Sequence, residues 1–139
     1  MNKQELMARY TKLAIKTRYN LNDFEIYFDP YLIENEEDWI YGKNNIQTEK
    51  SITYNGTIYS ETDLYLGAWN TIIHEITHIK ILGHDKVFWE EYYRNWELLD
   101  DLRKEFNKEV GWDEDFIYNY EDDEEPKDDY DIYLEAFEK

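Results

Sequence analysis

The residues with the clearest chemical potential lie in one short run, residues 72–89, which holds all three histidines of the 139-residue chain. If residues 72–82 form a helix, His74 and His78 lie one turn apart on the same face, with Glu75 beside them. Two imidazoles at this spacing can hold a zinc ion while the carboxylate faces the water that the metal activates. Because the same spacing also arises by chance, a metal site requires a third ligand.

His84 offers that third ligand, after a link of five residues that ends in Gly83. Glycine readily takes the left-handed conformation that ends a helix, so Gly83 is expected to turn the chain and return His84 to the open side of the metal. Asp85 then stands where the N-cap of a second helix belongs, which would hold His84 between two rigid elements. The predicted zinc ligands are His74, His78 and His84.

This pattern resembles the active-site signature of the small zinc peptidases grouped as SprT-like, YgjP-like and WLM-type proteins. The matching residues are His74, Glu75, His78, His84, Phe88 and Trp89. Asp85 also agrees with the His-Asp pair of WLM-type members, and the resemblance covers residues 64–96. It implies a zincin-like domain that binds zinc and hydrolyses peptide bonds.

Two other zinc peptidase classes fit less well. Metzincins share the spacing of the histidines but place a glycine at the third position of the five-residue link, where this chain has Ile81. Gluzincins take their third ligand from a glutamate on the following helix, for which Glu97 is the best placed residue. Since His84 is present, Glu97 is expected to be a solvated helix residue.

Glu75 has a distinct predicted role, that of general base. Its carboxylate would take the proton of the water that attacks the peptide carbonyl and pass it to the leaving amine. The alternative is a non-catalytic binding or inhibitor protein on the same scaffold, whose acidic surface binds a basic partner or mimics nucleic acid. Glu75 favours the enzyme, because a structural zinc site does not need it. The substrate and an oxyanion-stabilising tyrosine are not identified by the sequence.

Charge and composition narrow the classes of partner. The chain has a net charge of −18, of which residues 109–139 contribute −12, with fourteen acidic and two basic side chains. Such a surface repels phosphates, so direct binding to nucleic acid is not expected, whereas a basic protein is a possible partner for the acidic end. The chain has no cysteine, no apolar run of about 20 residues and no apolar N-terminal signal, which predicts a cytoplasmic protein without a membrane span.

The remaining pattern predicts an α+β fold. Helices are expected at residues 2–19, 72–82 and 86–108, and strands at residues 24–28, 39–41, 50–54 and 57–60. Asn55-Gly56 between the last two strands is the preferred loop of a two-residue hairpin, so the sheet should be small and mainly antiparallel. A strand at its edge could bind an extended peptide beside the metal.

The character of the sequence changes at Gly111. We predict a zincin-like domain over residues 1–110 and an acidic, partly disordered tail over residues 111–139. The tail contains a block of like charge at residues 121–129 that repels itself. Aromatic residues interrupt the acidic sequence, which predicts that part of the tail docks on the domain or on a partner.

Overall fold

Four helices and a three-stranded sheet form the described part of the chain, residues 2–32, 40–44 and 50–118, in a computed structural model. The elements are α1 (Lys3–Tyr19), β1 (Glu25–Asp29), β2 (Gly42–Asn44), β3 (Ser51–Asn55), α2 (Ala68–Thr77), α3 (Lys86–Leu98) and α4 (Asp100–Val110). The predicted α+β class is confirmed. None of the helices within these residues has the length and apolar character to cross a membrane.

The first helix follows its sequence pattern closely. The Asn2 side chain accepts a hydrogen bond from the backbone N–H of Glu5 at 2.8 Å, which caps the helix start. At the other end Asn20 adopts a left-handed conformation, with φ of 56°, and its N–H bonds back to the carbonyl of Lys16. Of the face that helical spacing predicts, Leu6, Tyr10 and Ala14 are buried, whereas Leu13 and Thr17 are exposed. The buried apolar residues of the helix are Leu6, Met7, Tyr10, Ala14 and Ile15. Next to this face, the more exposed Arg9 pairs with Glu109 of α4 at 3.3 Å.

The sheet is mixed, with strand order β1-β3-β2. Strand β1 is parallel to β3, and β2 is antiparallel to β3. The prediction of a mainly antiparallel sheet is therefore wrong, although the predicted strands at residues 24–28 and 50–54 correspond to β1 and β3 within one residue. The predicted strand at residues 39–41 is also wrong for Ile40 and Tyr41, because strand β2 begins at Gly42; residue 39 lies outside the described residues.

The predicted hairpin at Asn55-Gly56 does not form. The Asn55 side-chain oxygen accepts hydrogen bonds from the N–H groups of Thr57 and Ile58, at 2.9 and 3.1 Å, which turns the chain away from β3. The N–H of Gly56 bonds to Asp29 at the end of β1. Gly56 does not have the positive φ that the tight hairpin turn requires. Residues 57–60 consequently form no strand beyond one isolated bridge of Tyr59.

The predicted helix at residues 86–108 is two helices joined at Leu99. Leu99 is buried and has a φ of −107° and a ψ of 19°, outside helical geometry, and its carbonyl accepts from the N–H of Arg103 as the next helix begins. Asp100 and Asp101 supply negative charge to the first turn of α4, which favours a helix start there. The apolar stripe continues across the junction, so its periodicity alone did not mark the break.

Residues 112–118, the beginning of the predicted tail, pack against α4. The buried guanidinium of Arg103 donates to the carbonyl of Phe116 at 2.7 Å, and the Asn107 amide donates to the same carbonyl at 2.8 Å. The rings of Trp112 and Phe106 lie 6.1 Å apart. The Tyr118 hydroxyl hydrogen-bonds that of Tyr65 at 2.6 Å, just before α2. The tail prediction for residues 119–139 lies outside the described residues.

These contacts predict that two truncations differ in stability. A chain that ends at Gly111 loses the Phe116 carbonyl and with it two hydrogen bonds, from Arg103 and Asn107; because one donor is charged, the loss is about 2–4 kcal/mol. We expect its melting temperature to fall by roughly 8–15 °C. A chain that ends at Tyr118 keeps every contact named above and should melt within about 2 °C of the full chain. Equal melting temperatures for the two truncations, measured by circular dichroism, would contradict this prediction.

Candidate metal centre

The three histidines converge on one point at the end of α2. The Nε2 atom of His78 lies 3.1 Å from that of His74 and 2.8 Å from that of His84, and the remaining pair is separated by 3.1 Å. His84 is exposed, whereas His74 and His78 are half-buried. The three residues that the sequence analysis singled out are thus close enough to bind a metal ion together.

The local structure that brings them together differs from the prediction. Helix α2 begins at Ala68 and ends at Thr77, earlier at both ends than the predicted residues 72–82. His78 is its C-cap and keeps helical backbone geometry, so it remains one turn from His74. Gly83 does not have a positive φ, and the prediction that it ends the helix in a left-handed conformation is wrong. The chain turns earlier, where the N–H of Lys80 bonds to the carbonyl of Thr77.

The beginning of α3 confirms the predicted cap. The Asp85 side chain accepts a hydrogen bond from the N–H of Phe88 at 3.1 Å, so the helix starts directly after His84. This fixes the backbone on the C-terminal side of His84.

The ring of Phe88 packs against one side of the histidine cluster. Its fully buried ring lies 5.1 Å from the ring of His74, 4.6 Å from that of His78 and 5.0 Å from that of His84, measured between centroids. One aromatic side chain thus contacts all three imidazoles and limits the orientations that each can adopt. The neighbouring Trp89 lies 6.1 Å from His74. The aromatic pair of the sequence motif therefore packs beneath the cluster.

The donor set fits a metal ion. The Nδ1 atom of His78 lies 2.9 Å from the carbonyl oxygen of Ile81. A carbonyl only accepts, so Nδ1 carries the proton and Nε2 presents its lone pair to the other two histidines. The single lone pair on Nε2 of His78 cannot form hydrogen bonds with the nitrogens of both His74 and His84. A metal ion shared by the three nitrogens can account for both short distances. Four-coordinate zinc holds nitrogen ligands roughly 3.3–3.4 Å apart, close to the spacing found here.

The electrostatic surroundings favour neutral imidazole at His74. Burial, followed by the neighbouring imidazoles of His78 and His84, holds the pKa of His74 well below its ordinary value. Neutral imidazole is the form that binds metals, so protons compete weakly for this ligand near neutral pH.

Glu75 follows His74 in the sequence of α2 and is buried, with 5% of its surface exposed. Burial raises the pKa of Glu75 to about 8, and no charged or hydrogen-bonding group among the described residues offsets this effect. A carboxyl group in such a site is poised to exchange protons near neutral pH. Two residues of β2 contact Glu75, and the sequence analysis identified neither: Asn44 donates to its carbonyl at 2.8 Å, and Gly42 lies against its side chain.

Glu97, the alternative third ligand, is exposed on α3 and is not part of the group. Among the residues that the structure describes, the three histidines are the one group of side chains placed to share a metal ion. The geometry therefore agrees with His84, and not with Glu97, as the third ligand.

A buried polar network supports the end of α2. The Asn95 amide of α3 donates to the hydroxyl of Thr77 at 3.0 Å and to that of Tyr19 at 3.0 Å. Its oxygen accepts from Arg18 at 2.6 Å, and Arg18 also pairs with Glu91 at 3.3 Å. Thr77 directly precedes His78, so this network links the backbone next to His78 to helices α1 and α3.

Comparison of the chain with protein-family models, curated proteins and solved structures finds no match.

Proposed function

We propose that this protein is a zinc-dependent peptidase with a zincin-like domain, similar to the SprT-like, YgjP-like and WLM-type group. The observation that carries the proposal is the convergence of three imidazole nitrogens within 3.1 Å, together with the burial of Glu75, the residue that follows His74 on α2. A structural zinc site requires ligands alone, whereas hydrolysis also requires a base next to the metal.

The ligand set supports zinc and a catalytic site. Three histidine nitrogens suit zinc better than magnesium or calcium, which prefer oxygen ligands. Structural zinc sites are closed by four protein ligands, whereas catalytic sites have three and keep one position open. The group found among the described residues has three members, and its exposed side is at His84.

In the proposed mechanism, His74, His78 and His84 would hold zinc through their Nε2 atoms. Zinc, when bound, would supply a Lewis acid for the peptide carbonyl and a positive charge that favours the ionised form of nearby carboxyl groups. The Glu75 carboxylate accepts a proton from the attacking water and donates it to the leaving amine. Burial strengthens this exchange, because a carboxyl group with a raised pKa is both a usable base and a usable acid.

The proposed substrate is an extended segment of polypeptide. Strand β2 packs on α2 through Glu75 and, among the described strands, pairs only with β3. A peptide could add to its outer edge by backbone hydrogen bonds and pass the metal. The net charge of −18 supports a protein partner, basic in character, over nucleic acid.

Peptide cleavage under metal control tests this function. Purified protein is expected to contain about one zinc per chain and to cleave a mixture of unfolded proteins. Removal of the metal with a chelator should lower the rate to below about a tenth, because the metal supplies several kcal/mol of transition-state stabilisation. One equivalent of zinc should restore it. Zinc-loaded protein that cleaves nothing, or cleavage that survives complete zinc removal, would contradict the proposal.

A further inference from the structure

We propose that strand β2 acts as a clasp that positions Glu75, with Asn44 and Gly42 as its two positioning residues. The inference deepens the proposed function and rests on it for the role of Glu75. Asn44 hydrogen-bonds the backbone of Glu75, and Gly42 lies against its side chain.

The first contact involves a carbonyl that the helix leaves without its usual partner. In a continuing helix the carbonyl of Glu75 would accept from the N–H of Ile79, but that N–H bonds to Ile76 instead, at 3.1 Å. The Asn44 amide donates to the Glu75 carbonyl at 2.8 Å. A side chain of the sheet thus replaces the missing helical bond at the residue proposed as the base, and links its backbone to β2.

The second contact is steric. A Cβ atom added at Gly42 would lie 3.2 Å from both Cγ and Oε2 of Glu75, and 3.1 Å from the ring of Tyr54. Tyr54 cannot withdraw, because it is fully buried and its hydroxyl hydrogen-bonds that of Thr11 at 2.9 Å. Any side chain at position 42 would therefore displace Glu75. The backbone of β2 approaches the carboxylate closely because position 42 is glycine.

The two contacts belong to one face of the strand. Gly42 pairs with Tyr54 and Asn44 with Ile52, and alternation along a strand directs positions 42 and 44 to the same side. Lys43 lies between them, opposite Thr53, and is exposed. The strand therefore holds the backbone and the side chain of Glu75 from one side and presents its intervening residue to solvent.

Precise placement matters because no group among the described residues hydrogen-bonds the Glu75 carboxylate. Among these residues, its position is set by the backbone that Asn44 holds and by the contact with Gly42. Misplacement of a reacting group by 1 Å costs on the order of 100-fold in rate. A shift of a few tenths of an ångström at Glu75 should therefore be visible in kcat.

The test compares Asn44→Leu, which removes the donor, and Gly42→Ala, which adds one methyl group, with the control Lys43→Ala on the same strand. All are made in the full chain and assayed with zinc bound. We expect each clasp variant to lose about tenfold or more in kcat, with KM and zinc affinity within about twofold of wild type. Lys43→Ala should match wild type. Unchanged kcat in folded, zinc-loaded clasp variants would overturn the inference.

A second measurement separates the clasp from the proposed function. Crystal structures of the metal-free wild type and of Gly42→Ala should differ in the side-chain torsions of Glu75, whether or not the protein cleaves peptides. If Glu75 occupies the same position in both, the clasp is wrong even if the protein is a peptidase. If Glu75 moves but wild type cleaves nothing, the clasp stands and the peptidase proposal fails.

Discussion

Replacement of Glu75 by glutamine is expected to lower peptide cleavage by at least about 100-fold, the low end of what a positioned general base contributes. Glutamine keeps the size of the side chain but cannot accept and return the proton. Zinc content should not change, because the carboxylate is not one of the three converging ligands. The melting temperature should stay equal or rise, since the change removes an ionisable group from a buried site with 5% exposure.

The matched control is Glu97→Gln, the same substitution at an exposed position of α3. It should leave cleavage, zinc content and melting temperature unchanged. If wild type cleaves and Glu75→Gln cleaves equally well, Glu75 is not the base. If neither protein cleaves while zinc is bound and a basic protein is captured, the non-catalytic alternative should replace the peptidase proposal.

The parts of the fold that the sequence predicted are those governed by local interactions. Helix α1 followed from its helical spacing of apolar residues, and the start of α3 followed from Asp85 as its cap. The grouping of the three histidines followed from the helical spacing of two of them and a short link to the third. That prediction held although the helix ends at Thr77, because His78 keeps helical geometry beyond it.

The failures concern residues whose conformation is decided by distant parts of the chain. Gly42 was predicted to end a strand, but strand β2 begins there. Because position 42 has no side chain, the strand can approach Glu75 closely. Gly83 looked like a left-handed cap, and that conformation occurs at Asn20 and Gly111 instead. The hairpin at Asn55 failed because its side chain turned the chain and β1 supplied a parallel partner. The parallel pairing of β1 with β3 joins segments far apart in sequence, so no local sequence pattern predicts it.

The ligands themselves give the other large expected effect, on zinc affinity. Zinc sites release about 10–16 kcal/mol on binding, and division among four ligands gives each roughly 2.5–4 kcal/mol. His78→Ala should therefore weaken zinc binding by about 100-fold or more. His78 is the best choice for this test because its Nδ1 lies 2.9 Å from the carbonyl oxygen of Ile81, which orients its Nε2 towards the other two histidines.

The third ligand is decided by a comparison between two further variants. His84→Ala should weaken zinc binding by a similar factor, whereas Glu97→Ala should leave it within about twofold, because Glu97 lies outside the histidine group. Competition with a chromophoric chelator measures all three affinities in folded protein. Stoichiometric zinc in His78→Ala would exclude the three-histidine site. A larger loss in Glu97→Ala than in His84→Ala would show that Glu97 is the third ligand. His84 would then lie away from the metal.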